Sequence, residues 1–213
     1  MQGIAEFIST DTKVDYINNL LGVGFDTIDF GSFVSPKAIP QLKDTSEVLD
    51  RLTVDTRSKL LAIVANERGA IEAASKERID YLGFPFSISE EFQKRNTNKS
   101  IEQSLSAVEG IQNLCHQNGK TLVLYISMAF GNPYNELWHP ELALSWSHRL
   151  HRDLGIEIIA LSDTIGVSTP ETISQIFTTL IPELPKVEIG AHLHTTPDSW
   201  EEKVEAAWDS GCR

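Results

Sequence analysis

Two histidines separated by one residue form the strongest chemical signal in this sequence. His192 and His194 flank Leu193 in a β-rich run, where residues two apart face the same side of a strand. Two neutral imidazoles on one side supply half of a divalent-metal site, which oxygen ligands would complete for a hard metal. Because paired surface histidines are also common, the interpretation depends on their position, after Gly190 and before a threonine-rich turn.

An aspartate closes the preceding β-rich run. Asp163 stands within the segment Leu161–Gly166, ahead of a turn and a capped helix. A carboxylate at a strand end can bind a ligand or transfer a proton. The alternative is that Asp163 only caps the turn with local backbone donors. The residues by themselves leave both interpretations open.

Weaker signals come from four other side chains. Asp29 closes the first visible strand, and Tyr125 is predicted to share one side of its strand with Ser127. A buried tyrosine usually only satisfies its hydroxyl, so packing is the alternative for Tyr125. Lys37 could meet an anion in its loop, although a solvated loop lysine is the more common case.

Short β-rich runs that alternate with amphipathic helical patterns must position these side chains. Near-continuous apolar strands alternating with helices are typical of a parallel sheet. The step of about 33 residues per strand between Asp29 and His192 suits an eightfold barrel. A doubly wound sheet is the competitor, but no glycine-rich phosphate loop supports it. The predicted strands are Thr27–Phe30, Lys59–Val64, Ile79–Leu82, Thr121–Ser127, Ile156–Leu161 and Val187–Leu193. The first predicted helix has Thr10 or Asp11 as its N-cap and ends at Gly22, and the other predicted helices start near Ser100, Pro140, Thr169 and Asp198.

Composition narrows the class of partner. The net charge of −12 over 213 residues argues against nucleic acid or an anionic membrane as the main partner, since both need clustered positive charge. No apolar run reaches the roughly 20 residues that span a bilayer. Two cysteines, Cys115 and Cys212, are too few for a disulfide framework, so a reducing cytoplasm is the predicted location.

Several motifs together resemble one family, the hydroxymethylglutaryl-CoA lyases, among the metal-dependent lyase and synthase barrels. The segment Ser32–Lys37 is the most specific, because related synthases share the two histidines without it. The motifs occur in the family's order and cover nearly the whole chain. They are Ser32–Lys37, Asn66 with Gly69, Phe92–Asn96, Tyr125–Tyr134, Ser162–Val167 and His192–His194.

The resemblance implies a fold and a reaction. The fold would be an incomplete TIM (β/α)8 barrel with about six parallel strands, and residues 1–213 would be one domain truncated at both ends, without the first and last strands. The reaction would be Mg²⁺- or Mn²⁺-dependent cleavage of hydroxymethylglutaryl-CoA, an acyl-CoA substrate, to acetyl-CoA and acetoacetate by a homo-oligomeric parent. His192 and His194 map onto the paired metal ligands, Asp163 onto an active-site aspartate and Tyr125 onto a pocket tyrosine.

The sequence also departs from the family's pattern. The candidate catalytic residues are thus Asp163, Tyr125 and Asp29. Asp29 stands where glutamate is usual in the family, and Thr195 stands where aspartate is usual. The family's arginine–aspartate pair, catalytic cysteine and asparagine ligand would fall outside the chain, and Cys212 does not replace that cysteine. The chain by itself is therefore expected to be inactive. The alternatives are an isopropylmalate-type synthase that condenses acetyl-CoA and a non-catalytic metal-binding fragment.

Overall fold

The computed structural model describes residues 1, 3–53 and 56–212. In these residues six strands alternate with eight α-helices and one 3₁₀ turn, Pro40–Leu42, so the predicted number of strands is confirmed. The strands are β1 Thr27–Ser32, β2 Lys59–Ile63, β3 Tyr81–Ser87, β4 Thr121–Ser127, β5 Ile158–Asp163 and β6 Glu188–Leu193. The helices are α1 Thr10–Val23, α2 Thr45–Arg51, α3 Glu67–Ala74, α4 Glu90–Thr97, α5 Ile101–Gln117, α6 Pro140–Leu154, α7 Pro170–Glu183 and α8 Trp200–Asp209.

The chain divides into two compact units. Unit 1 comprises Met1–Phe84 with Gly110–Thr121, and unit 2 comprises Pro85–Glu109 with Leu122–Arg213. In unit 1 the strands pair in parallel in the order β1, β2, β3. In unit 2 they pair in parallel in the order β4, β5, β6. None of the helices in the described residues has the length and apolar character needed to cross a membrane.

The ends of α1 correct the prediction for the first helix. Its N-cap is Ser9, whose side chain accepts a hydrogen bond from the Thr12 backbone N–H, and not Thr10 or Asp11. Its C-cap is Gly24 with a φ of 87°, and not Gly22. The prediction was wrong because both flanking residues satisfy helix ends better: Ser9 adopts the extended backbone of an N-cap, and Gly24 accepts the left-handed one.

Three helices were not predicted from the sequence. The helices α2, α3 and α4 have only seven or eight residues each, too few for a hydrophobic period to stand out. By contrast, the longer α6 and α7 begin at prolines as predicted. Gly155 ends α6 with a φ of 66°, and Thr169 and Thr172 form a capping box on α7.

In unit 2, β6 presents two different faces. Ala191 and Leu193 line a groove together with Trp200 and Val204 of α8. Because side chains alternate along a strand, His192 projects from the opposite face. Strand alternation therefore places the candidate site, which contains His192, on the face of β6 opposite this groove.

Candidate active site

The two histidines lie beside one another at the end of β6. The ring centroids of His192 and His194 are 5.4 Å apart, with an angle of 59° between the ring planes. Desolvation, together with the neighbouring His194, lowers the pKa of His192 below 6.5, although its ring still contacts solvent. His192 is therefore a neutral imidazole at neutral pH, which is the form that binds metal ions.

Tyr125 packs against the first of these histidines. The two rings meet edge to face, with centroids 5.3 Å apart and an interplanar angle of 79°. In the sheet of unit 2, Tyr125 is aligned with Ala160, and Ala160 with Gly190. These two small residues leave room on this face for the tyrosine and histidine rings. The structure thus brings together Tyr125, His192 and His194.

Asp163 has a different environment. It is only 1% exposed and pairs in register with Leu193, so strand alternation directs its side chain to the face opposite His192. Its carboxylate accepts hydrogen bonds from the Val167 N–H at 2.8 Å and from the N–H and Oγ of Ser168 at 3.1 and 2.5 Å. The Lys203 ammonium lies 3.0 Å away. The carboxylate thus anchors the turn after β5.

The charge state of Asp163 follows from these partners. Burial alone would raise the pKa of the carboxyl, but the hydrogen bonds from Ser168 and Lys203 and from two backbone N–H groups outweigh it. The pKa of Asp163 therefore lies below 3.8, and the group is ionised at neutral pH.

Lys203 is a residue of this region that the sequence did not indicate. It lies on α8 and is 5% exposed, and its ammonium also donates to the His194 backbone oxygen at 3.2 Å. Lysine on an amphipathic helix usually points to solvent, so only the apolar spacing of α8 could have hinted at burial. One side chain thus joins Asp163 to the backbone of His194.

The loop after β4 is tied to the same turn. The Met128 N–H donates to Thr164 Oγ1 at 2.8 Å, and the Ala129 N–H donates to the Ser162 backbone oxygen at 3.3 Å. Met128 has a φ of 62°, which is unusual for a residue with a side chain. These bonds hold the loop beside the end of β5.

The two imidazoles fit part of a metal site. Across the described ranges, 1, 3–53 and 56–212, no group of three His, Cys, Asp or Glu side chains is arranged to hold a metal ion. His192 and His194 can supply two nitrogen ligands of such a site, and a hard divalent ion prefers oxygen atoms for its remaining positions.

Asp29 lies on β1 in unit 1. Desolvation raises the pKa of its carboxyl to about 6, opposed in part by a hydrogen bond from the Gly31 backbone, although the residue as a whole is exposed. A cavity of about 320 Å³ adjoins it, lined in part by Tyr16, Leu20 and Phe30. A carboxyl with this pKa can exchange a proton near neutral pH.

The segment Ser32–Lys37 also lies in unit 1. Its backbone passes so close to α3 that a Cβ atom on Gly69 would lie 2.4 Å from the Phe33 backbone oxygen. Lys37 is exposed, and its backbone N–H donates to Ser35 Oγ at 3.3 Å. Its anion-binding role stays a prediction.

The first cysteine, Cys115, is fully buried, as expected for a core residue, and desolvation raises the pKa of its thiol to about 11.

Comparison with known proteins identifies the family to which this chain belongs. The profile of the HMGL-like family matches residues 1–199. This chain belongs to the HMGL-like family. It is 31% identical over 196 residues to the hydroxymethylglutaryl-CoA lyase YngG of Bacillus subtilis, covering 92% of this chain and 65% of that protein. It is 30% identical to the hydroxymethylglutaryl-CoA lyase of Pseudomonas mevalonii, covering 100% of this chain and 70% of the relative.

The solved structures agree with this family membership. An HMG-CoA lyase from Acinetobacter baumannii, in complex with coenzyme A and 3-methylmalate, matches with a TM-score of 0.89 and 28% identity, over 100% of this chain and 68% of that one. The HMG-CoA lyase of Bacillus subtilis matches with a TM-score of 0.90 and 30% identity, over 99% and 70%. These matches confirm the predicted fold class, an incomplete TIM barrel with six parallel strands.

Proposed function

We propose that this HMGL-like chain carries the two-histidine part of an acyl-CoA carbon–carbon lyase site. The proposed reaction is cleavage of hydroxymethylglutaryl-CoA to acetyl-CoA and acetoacetate. The observation that carries the proposal is the pair of imidazoles 5.4 Å apart at the end of β6 in a chain of this family. The chain spans 65% of one bacterial relative and 57% of the cytoplasmic rat enzyme, so the activity of a whole protein is part of the proposal.

His192 and His194 are the residues that would hold the divalent ion, magnesium or manganese. Such an ion, when bound, supplies Lewis acidity at substrate oxygens, which favours loss of a hydroxyl proton and cleavage of the adjacent C–C bond. The contribution of the chain is to hold the two imidazoles close together and to lower the pKa of His192 by burial. Tyr125 limits the rotation of His192 because the two rings pack edge to face.

The two candidate carboxylates suit different roles. The pKa of about 6 makes Asp29 the better group to exchange a proton near neutral pH. Asp163 is ionised and bonded to Ser168 and Lys203, which suits a positioning role at the turn after β5. A direct catalytic role for either residue stays a prediction.

Two imidazoles alone are a weak site for a hard ion. We therefore infer that His192 and His194 by themselves bind manganese only weakly.

The experiment is a calorimetric Mn²⁺ titration of the purified chain. The variants His192→Ala and His194→Ala should each weaken binding strongly. The control His148→Ala, on α6 of the same unit, should bind like the unaltered chain. Unchanged affinity in both histidine variants would overturn the metal assignment.

A second assay decides the reaction class. The chain is incubated with Mn²⁺ and either hydroxymethylglutaryl-CoA or acetyl-CoA plus a 2-oxo acid, and the products are quantified beside the Pseudomonas mevalonii lyase. Traces of acetoacetate from the first mixture would support the lyase. Condensation in the second mixture without cleavage in the first would favour a synthase instead.

A further inference from the structure

Ser162 lies next to His192 in the sheet of unit 2. The two residues are register partners on the neighbouring parallel strands β5 and β6. Such partners lie roughly 4.8 Å apart and direct their side chains to the same face. That face is the one on which Tyr125 meets His192. Ser162 and Asp163 are adjacent in the chain but face opposite sides of the strand.

The Ser162 hydroxyl is buried without a partner. The residue is 4% exposed, and its Oγ has no hydrogen-bond partner in the part of the chain that the structure describes. A buried polar atom in this state is unfavourable, so native proteins rarely keep one without a reason. The fully buried Ser147 shows the usual arrangement, because its hydroxyl donates to the Ala143 backbone oxygen at 2.8 Å.

The His192 ring needs a group of this kind. A histidine that binds a metal through one ring nitrogen almost always donates the N–H of its other nitrogen to a nearby acceptor, which fixes the tautomer and the ring orientation. The described contacts of the His192 ring are aromatic packing contacts with the Tyr125 and His194 rings. Asp163, the neighbouring carboxylate, faces the other side of the strand.

We propose that Ser162 is a positioning residue for His192. Its Oγ accepts the hydrogen bond from the ring N–H that does not face the metal, after a rotation of one or both side chains. This inference rests on the proposed function, because it requires His192 to bind a divalent ion. It assigns the two residues of the Ser162–Asp163 pair to different tasks: Ser162 orients the ligand, and Asp163 holds the turn.

The test combines metal affinity with stability. Ser162→Ala should weaken Mn²⁺ binding by about 10-fold, the lower end of the range for such supporting partners. It should leave the melting temperature of the metal-free chain unchanged or higher, because it removes an unsatisfied buried hydroxyl. Ser162→Thr, which keeps the hydroxyl, should bind close to the unaltered chain. Ser147→Ala should show the reverse pattern, a lower melting temperature with unchanged affinity.

A double-mutant cycle separates this inference from the proposed function. In a His192→Ala background, Ser162→Ala should have no further effect on Mn²⁺ affinity. Unchanged affinity in Ser162→Ala, with His192→Ala still weakened, would overturn the role of Ser162 alone. Equal weakening by Ser162→Ala with and without His192 would also overturn it. No Mn²⁺ binding by the unaltered chain, or unchanged binding in His192→Ala, would overturn both.

Discussion

The Lys203 ammonium lies 3.0 Å from the Asp163 carboxylate, and both side chains are almost completely buried. The same ammonium donates to the backbone oxygen of His194. The ion pair therefore links α8, the end of β5 and one candidate metal ligand. A buried charge that loses its partner is strongly unfavourable, so removing either side chain of this ion pair should destabilise unit 2.

Replacing Lys203 with Met should destabilise the chain by about 3–5 kcal/mol, because it leaves the Asp163 carboxylate buried and unpaired. Urea denaturation measures this change. The exposed pair Arg149–Glu102 offers a matched control, and Arg149→Met should cost less than about 1 kcal/mol. Equal losses of stability in the two variants would show that the buried ion pair contributes no more to the free energy of unfolding than the exposed one.

Acid should weaken the contribution of Asp163. Its folded-state pKa lies below 3.8, the usual pKa of an aspartate carboxyl, so its ionised form stabilises the fold above that pH. This contribution is lost as the pH falls below 3.8 toward the folded-state pKa. Asp163→Asn should therefore be less stable than the unaltered chain at pH 7, and the difference should shrink in acid. This can be tested by measuring denaturant midpoints from pH 7 down to the lowest pH at which the chain still folds. A stability difference between the variant and the unaltered chain that stays constant with pH would contradict it.

Asp29 should have the opposite pH dependence. Its folded-state pKa of about 6 lies above 3.8, so the folded state holds the proton more tightly than the unfolded state. Stability should fall as the pH rises from 3.8 to about 6. Asp29→Asn should remove this slope and should gain stability relative to the unaltered chain at pH 7.5. Denaturant midpoints at several pH values across the window measure the slope, and an unchanged slope in the variant would refute the assignment.

Gly69 should tolerate no side chain. A Cβ atom there would lie 2.4 Å from the Phe33 backbone oxygen, so Gly69→Ala must displace the backbone of the Ser32–Lys37 segment. We expect a loss of about 1–3 kcal/mol in thermal or urea unfolding. Gly110→Ala is the control, because nothing lies within 4 Å of its Cβ position in α5 and a helical alanine should stabilise by about 0.4–1 kcal/mol. Similar behaviour of the two variants would contradict the close contact.

The sequence by itself determined the features that depend on local periodicity. Alternation along a strand places His192 and His194 on one side of β6, and this needs only the residues on either side of Leu193. Apolar runs and proline starts likewise indicated six strands and helices α6 and α7, although β3 lies at Tyr81–Ser87 and not at the predicted Ile79–Leu82. The short helices α2, α3 and α4 were missed because seven or eight residues carry too little periodic signal.

Only the tertiary structure decided what each side chain of the site contacts. Asp163 and Lys203 are 40 residues apart in the chain, and no local pattern pairs them. The register of β5 with β6 sets Ser162 beside His192 and turns Asp163 away. Register depends on how whole strands and helices pack, and a shift of one residue would exchange the two faces. The sequence therefore determined which residues could do chemistry, and the packing decided which of them face one another.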